Sequence, residues 1–218
     1  MILKSTRRFS VILLLIHIIL IGTFLTTTSA SKGDKDFDEV ITFLSQELKL
    51  DDQQTQKMSA SFEQFANKLD QLFEAQEAED ADPDALIKGV KQAQDAHNKE
   101  LQKILTADQF KQYNALKEKA IKEMLSDLAE IKLMDLQPKT SISNEQVSQL
   151  APIMGDSMYK IIKIAWANYG KRLRPPQKIR LAKQLKRIQR DTRAGIEKIL
   201  TPEQLQAWDK YKEEQKKT

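Results

Sequence analysis

The sequence predicts an all-α fold built from long antiparallel helices and helical hairpins. Three observations carry that expectation. Only 6 glycines and 6 prolines punctuate 218 residues, and Ala, Leu, Lys, Glu and Gln dominate, a composition suited to long helices rather than to a many-turned β fold. Past Ala30 the apolar residues recur three and four apart, and no window alternates as a strand does. Four segments also carry the pattern of a capped helix start.

The first element, residues 1–30, reads as a secretory signal. Lys4, Arg7 and Arg8 make a positive start without acids, an apolar run follows from Val11 to Leu25, and small residues lead to Ala30. Thr28 and Ala30 form a small-x-small cleavage site. The run is shorter than the ~20 residues of a spanning helix, so the sequence places the mature protein outside the cytoplasm, in the periplasm. An uncleaved N-terminal anchor is the alternative.

A helix is expected around Phe37 to Leu48. Six apolar stripes follow: Met58, Phe62, Phe65, Leu69, Leu72 and Phe73; Leu86, Val90, Ala93, His97, Leu101 and Ile104; Phe110, Tyr113, Leu116, Ala120, Met124, Leu128 and Ile131; Val147, Leu150, Met154, Met158, Ile161, Ala165, Trp166 and Tyr169; Leu181, Leu185, Ile188, Gly195 and Ile199; and Leu205, Trp208 and Tyr211. Breaks are expected at Asp80-Ala81-Asp82-Pro83, with Asp82 as cap and Pro83 as first helical residue, at Leu136-Gln137-Pro138-Lys139-Thr140, and at Arg174-Pro175-Pro176. The middle break divides the chain into halves 31–136 and 137–218.

Four helix starts share one design: Leu50-Asp51-Asp52-Gln53-Gln54, Leu105-Thr106-Ala107-Asp108-Gln109, Ile142-Ser143-Asn144-Glu145-Gln146 and Leu200-Thr201-Pro202-Glu203-Gln204. Each sets an aliphatic residue before a capping residue and a glutamine three residues after it. In such a capping box the cap side chain accepts from the third helical N–H, and the glutamine accepts from the cap's own N–H. Leu105 with Phe110, Ile142 with Val147, and Leu200 with Leu205 are spaced as hydrophobic staples. The step from Gln54 to Gln109 nearly equals the step from Gln146 to Gln204. Lys103-Ile104-Leu105-Thr106 equals Lys198-Ile199-Leu200-Thr201, and Tyr113, Lys117 and Glu118 align with Trp208, Lys212 and Glu213 at the same offset. This pattern predicts two similar halves related by an internal repeat.

Leu105, Thr106 and Gln109, with Leu200, Thr201 and Gln204, resemble the paired LTxxQ motifs of the Spy/CpxP family of periplasmic proteins. The resemblance implies an all-helical, cradle-like fold. It also implies either ATP-independent holding of unfolded or partly folded proteins, as in Spy-like members, or restraint of an envelope stress sensor kinase, as in CpxP-like members. The earlier motif copies at Leu50–Gln54 and Ile142–Gln146 are degenerate, and the distance between paired motifs is shorter than in Spy. One chain thus holds in tandem what the family builds by dimerisation, so a monomer of two pseudo-repeats and a homodimer both stand as readings.

Composition excludes several chemistries. Without cysteine there is no disulfide, thiol nucleophile or cysteine zinc site. Histidine occurs only at His17 and His97, too few for a histidine metal site or a hydrolase triad. His97 lies on an apolar stripe and reads as a packed residue. Met124, Met134, Met154 and Met158 read as core filler, Asp51 as a cap, and Thr106 and Thr201 as caps rather than nucleophiles. The expectation is a protein that is not an enzyme and that holds no cofactor or metal.

Charge points to a partner. Residues 31–135 carry a net charge of −9 and residues 136–218 a net +10. Between Ser157 and Arg190 lie 11 basic residues and no acid. The bland reading is a solvated face balanced by the acidic half. The functional reading is a client-binding surface formed by Lys160, Lys163, Trp166, Tyr169, Arg172, Arg174, Lys183, Lys186, Arg187 and Arg190, steering acidic clients by charge and holding them by apolar contact. Nucleic acid is disfavoured by the export signal, and stable membrane insertion by the core's need for the apolar face. The leading expectation is therefore a periplasmic, ATP-independent chaperone linked to stress. The alternatives are a regulator of a sensor kinase and a structural envelope protein.

Overall fold

The computed structural model describes residues 30–75 and 82–217, with side chains for 37–75 and 82–215. The export-signal reading, apart from Ala30, and the Asp80-Ala81 part of the first break lie outside the described residues. Among the described residues every regular element is a helix. They are α1 (Ala30–Leu48), α2 (Asp52–Glu74), α3 (Pro83–Ile104), α4 (Ala107–Thr140), α5 (Asn144–Asn168), α6 (Pro175–Glu197) and α7 (Pro202–Lys217). The helix expected around Phe37–Leu48 is α1. Two compact units divide between Lys117 and Glu118, inside α4, whereas the sequence places its boundary after residue 136.

In the first unit α2 and α3 form an antiparallel hairpin, with α1 against α2. Its core joins Leu44, Leu48, Met58, Leu101, Leu105 and Tyr113. The third stripe residue of α2, Phe65, and the stripe of α3 from Leu86 to Leu101 are buried as the periodicity requires. Gly89 lets α3 approach Leu72, whose Cδ2 would lie 2.5 Å from an added Cβ. Asp82 caps α3, accepting from Asp84 N at 3.0 Å, with Pro83 next.

His97 is a core residue. Its ring stacks on Phe65 at 4.7 Å and meets Phe62 edge-on at 4.7 Å. Nδ1 shares a hydrogen bond with Ser61 Oγ at 3.0 Å, and Nε2 has no partner among the described residues. Burial, with the Lys117 cation nearby, holds its pKa down to about 4, so the imidazole is neutral at pH 7.

The second unit packs α5 and α6 as an antiparallel hairpin, with Thr192 Oγ1 donating to Ser157 Oγ at 2.8 Å across it. Its core contains Ala129, Leu133, Leu136, Ile142, Val147, Leu150, Ala151, Ile196, Leu200 and Trp208. Helix α4 approaches α5 so closely that a Cβ on Gly155 would stand 2.7 Å from Ser126 N.

Several sequence expectations need correction. The break at Leu136–Thr140 is not one: α4 runs through Pro138 to Thr140. A proline there removes a single amide bond near the helix end, where the ladder is about to stop, and Thr140 Oγ1 bonds Leu136 O at 2.9 Å. The chain turns instead at Ser141, which has φ 54°. The buried face of α4 is Ile121, Leu125, Ala129, Leu133 and Leu136, not Ala120, Met124, Leu128 and Ile131. Ile131 is 56% exposed, and Met134 is exposed rather than core filler. Apolar residues occupy neighbouring faces of this helix, and the close approach at Ser126 selects one of them. On α5 the buried position is Ile162 rather than Ile161. On α6 only Ile196 is buried; Leu181, Leu185 and Ile188 are half-buried, and Ile179 is 58% exposed.

Candidate functional site

The four capping boxes all form. Gln54 N donates to Asp51 Oδ1 at 2.7 Å and Asp51 N to Gln54 Oε1 at 3.3 Å. The equivalent pairs are 3.2 and 2.9 Å at Thr106 and Gln109, 3.1 and 2.9 Å at Ser143 and Gln146, and 3.3 and 3.0 Å at Thr201 and Gln204. The staple partners share their unit's core: Leu105 with Phe110 in the first unit, and Ile142 with Val147 and Leu200 with Leu205 in the second.

The boxes then meet in pairs. Gln54 Nε2 donates to Gln109 Oε1 at 2.9 Å, and Gln109 Nε2 returns a bond to Gln54 Oε1 at 3.2 Å. Gln146 and Gln204 exchange the same two bonds at 2.9 Å each. The remaining amide hydrogens reach across to backbone carbonyls: Gln54 to Ile104 O at 3.0 Å, Gln109 to Leu48 O at 3.2 Å, Gln146 to Ile199 O at 2.9 Å and Gln204 to Ser141 O at 2.8 Å. Each glutamine thus uses both amide hydrogens and both lone pairs, its full complement. These carbonyls belong to helix ends, which have no partner of their own. One motif caps the start of its own helix and the end of its partner's predecessor. Lys49 and Ser141, with φ 51° and 54°, hold the left-handed turn before the first box of each pair.

The candidate client-binding residues fall into two groups. Some pair with acids, three of them with Asp156 and Asp191 just outside the basic run and one with the distant Glu118. Lys160 pairs with Asp156 at 2.6 Å, Lys163 with Glu118 at 3.4 Å, Arg187 with Asp191 at 3.6 Å and Arg190 with Asp191 at 3.2 Å. Glu118 also receives Lys122 at 2.9 Å. Hydrogen bonds from Lys122 and Tyr159 and the charge of Lys163 hold the Glu118 carboxyl down to about 2. Asp156 and Asp191 line, with Lys160 and Arg187, a groove of about 580 Å³ between α5 and α6 whose charges balance.

The other group is exposed without ion pairs among the described residues: Arg172, Arg174, Lys183 and Lys186, joined by Lys171, Lys178 and Arg180, which the site reading did not single out. They occupy the α5–α6 turn and the first four turns of α6, beside the exposed Ile179. Trp166 and Tyr169 are half-buried at the end of α5. Arg172 and Arg174 come together with Lys171 and Arg180 around a second cavity of about 460 Å³.

Among the described residues no group of three or more His, Asp and Glu is placed to hold a metal ion, and no helix is long and apolar enough to cross a membrane. No family model, curated protein or solved structure matches this chain.

Proposed function

We propose that this chain is an exported, ATP-independent holding protein that captures unfolded or partly folded proteins on the basic face of α6. The observation that carries the reading is the span from Lys171 to Lys186. It presents seven cations without an ion pair among the described residues, three on the α5–α6 turn and four on α6, in a stretch with no fully buried residue and with Ile179 open to solvent. An uncompensated basic surface raises the encounter rate with acidic chains. The exposed Ile179 beside it supplies weak, non-directional contact suited to clients that share no sequence.

The motif resemblance to Spy/CpxP proteins supports the same reading, as does the matching bond pattern at the two glutamine pairs. Under this proposal the two units descend from one duplicated helical module. Tyr113 and Trp208, seven residues past their caps, are both buried, which fits duplication.

The test is aggregation of several unrelated unfolded proteins, followed by light scattering without nucleotide. A holding protein suppresses it at near-stoichiometric amounts. Charge reversal at Lys183 and Lys186 should slow client association, most of all at low salt. Failure to suppress any client refutes the proposal, and an unchanged on-rate refutes the placement on α6.

A further inference from the structure

The α5–α6 corner carries a feature that client holding does not require. Gly170, with φ 71°, turns the chain after α5, and Lys171 N donates to Asn168 O at 3.2 Å. The next residues return over the start of α6, where Gln177 Oε1 accepts from Arg174 N at 2.8 Å and fixes that backbone. Lys171, Arg172, Arg174 and Arg180 then line one open cavity of about 460 Å³, together with the amides of Gln177 and Gln184.

No carboxylate lines this cavity, and none of its four cations has an ion pair among the described residues. The neighbouring groove on the same hairpin is the useful contrast. There Lys160 and Arg187 face Asp156 and Asp191, and the charge closes on itself. Four like charges around one cavity repel one another, so the corner gains from an anion that the chain does not supply. The helix start adds nothing by itself: Pro175 and Pro176 have no N–H, and Gln177 N and Lys178 N both donate to Arg174 O. The donors are side chains, three of them guanidinium groups whose planar forks match tetrahedral oxyanions with two parallel bonds.

We propose that the cavity at the α5–α6 corner binds a phosphate-bearing ligand, with Arg172, Arg174 and Arg180 gripping the phosphoryl oxygens and Lys171 adding charge. The volume accommodates a diphosphate or a phosphomonoester headgroup but no second macromolecule. Its four cations belong to the Lys171–Lys186 span of the proposed capture surface, but pyrophosphate binding and aggregation suppression are separate readouts, so the two readings fail separately.

The experiment is isothermal titration of the full mature chain with inorganic pyrophosphate, alongside co-sedimentation with phosphatidylcholine vesicles with and without phosphatidic acid. The expected result is saturable binding of one pyrophosphate per chain. The doubly substituted Arg172→Gln, Arg180→Gln protein should lose at least about tenfold in affinity, because charge-assisted hydrogen bonds are the strong ones. A control with the same charge removed elsewhere, Lys198→Gln with Lys210→Gln, should lose less than about threefold. Circular dichroism checks that both variants keep their helices, and a pyrophosphate-induced shift of arginine side-chain NMR signals gives a second readout in the unaltered chain. Pocket-dependent pelleting with phosphatidic acid as well as pyrophosphate binding assigns the ligand to a lipid headgroup, and pyrophosphate binding alone assigns it to a soluble phosphate. Both support the site. Unsaturable binding, or equal loss in the two variants, overturns it in favour of a diffuse basic field, whatever the aggregation assay shows.

Discussion

Replacing Gln204 by glutamate exchanges one amide nitrogen for oxygen and changes almost nothing in size. Its Nε2 gives two bonds, to Ser141 O at 2.8 Å and to Gln146 Oε1 at 2.9 Å. A carboxylate gives neither and sets oxygen against oxygen at both places. The bonds accepted from Thr201 N and Gln146 Nε2 survive and gain some charge assistance. Two lost bonds at about 1 kcal/mol each, plus partial desolvation of two unpaired acceptors, put the cost at about 2–4 kcal/mol at pH 7. The introduced carboxyl is favoured in its neutral form, which regains one donor, so its folded pKa lies above the unfolded value of about 4.3. The penalty is therefore full above the folded pKa and shrinks as the pH falls towards 4. Gln204→Met removes the amide at similar length and should cost a comparable amount without that pH dependence. Urea unfolding followed by tryptophan fluorescence reads this cleanly, because both tryptophans, Trp166 and Trp208, lie in the second unit. A Gln204→Glu penalty smaller than a single ordinary hydrogen bond, below about 0.5 kcal/mol, would refute the closed amide pair as the lock of this corner. The same pH profile for both variants would refute it equally.

Other consequences concern packing and pH. His97 has a folded pKa of about 4, below the usual 6.5. The unfolded chain binds its proton first, so the first unit keeps its full stability above pH 6.5 and loses about 2 kcal/mol by pH 5. His97→Leu should flatten that slope in urea melts read by circular dichroism. Gly155→Ala drives a methyl into the Ser126 backbone and should cost about 2 kcal/mol. Gly89→Ala meets only the mobile end of Leu72 and gains helix propensity, so its melting midpoint should stay near that of the parent. Leu133→Ala empties a fully buried site and should cost about 3 kcal/mol. Ile131→Ala, two residues away on the exposed side, should stay within about 0.5 kcal/mol, and the opposite order would mean that the buried face of α4 is wrongly assigned.

Helix starts were legible because capping is local. Asp51, Thr106, Ser143 and Thr201 each reach a backbone N–H three residues on, and sequence displays that distance directly. The meeting of the boxes was not legible in this way. Their nearly equal spacings were visible as a regularity, but regularity alone does not say that Gln54 touches Gln109. The buried face of α4 differs from the expected one for a related reason. Periodicity finds an apolar stripe, and this 34-residue helix has candidates on adjacent faces one residue apart. The choice was made by an outside element, the Gly155 turn of α5, which presses on Ser126. Pro138 lacks the N–H that would bond four residues back and crowds that carbonyl, and sequence does not display that the helix carries this loss in its last turn, with Lys139 and Thr140 still following within it.

The basic run shows how a sequence segment and a charged surface come apart. Counting between Ser157 and Arg190 finds no acid, yet helical pairing reaches four residues past each edge of the count. Asp156 stands four before Lys160, and Asp191 four after Arg187, so the ends of the run are quenched by residues just outside it. Glu118, far off in sequence, quenches Lys163. What survives is the middle, Lys171 to Lys186, and that is also the stretch with no buried side chain. The two properties have one cause. The hairpin is anchored at its far end by Ile196 and Leu200, and α6 gains little core towards its start, where Leu181 and Leu185 are only half-buried, so packing leaves the remaining side chains of its first turns unconstrained. Exposed positions there can be filled with any soluble residue, and mixed charges would serve helix stability better through pairs four apart. The four cations on these turns and the three just before them make no ion pair among the described residues, so local pairing does not account for them, and the proposed capture of acidic clients is the reading that the charge-reversal test at Lys183 and Lys186 decides.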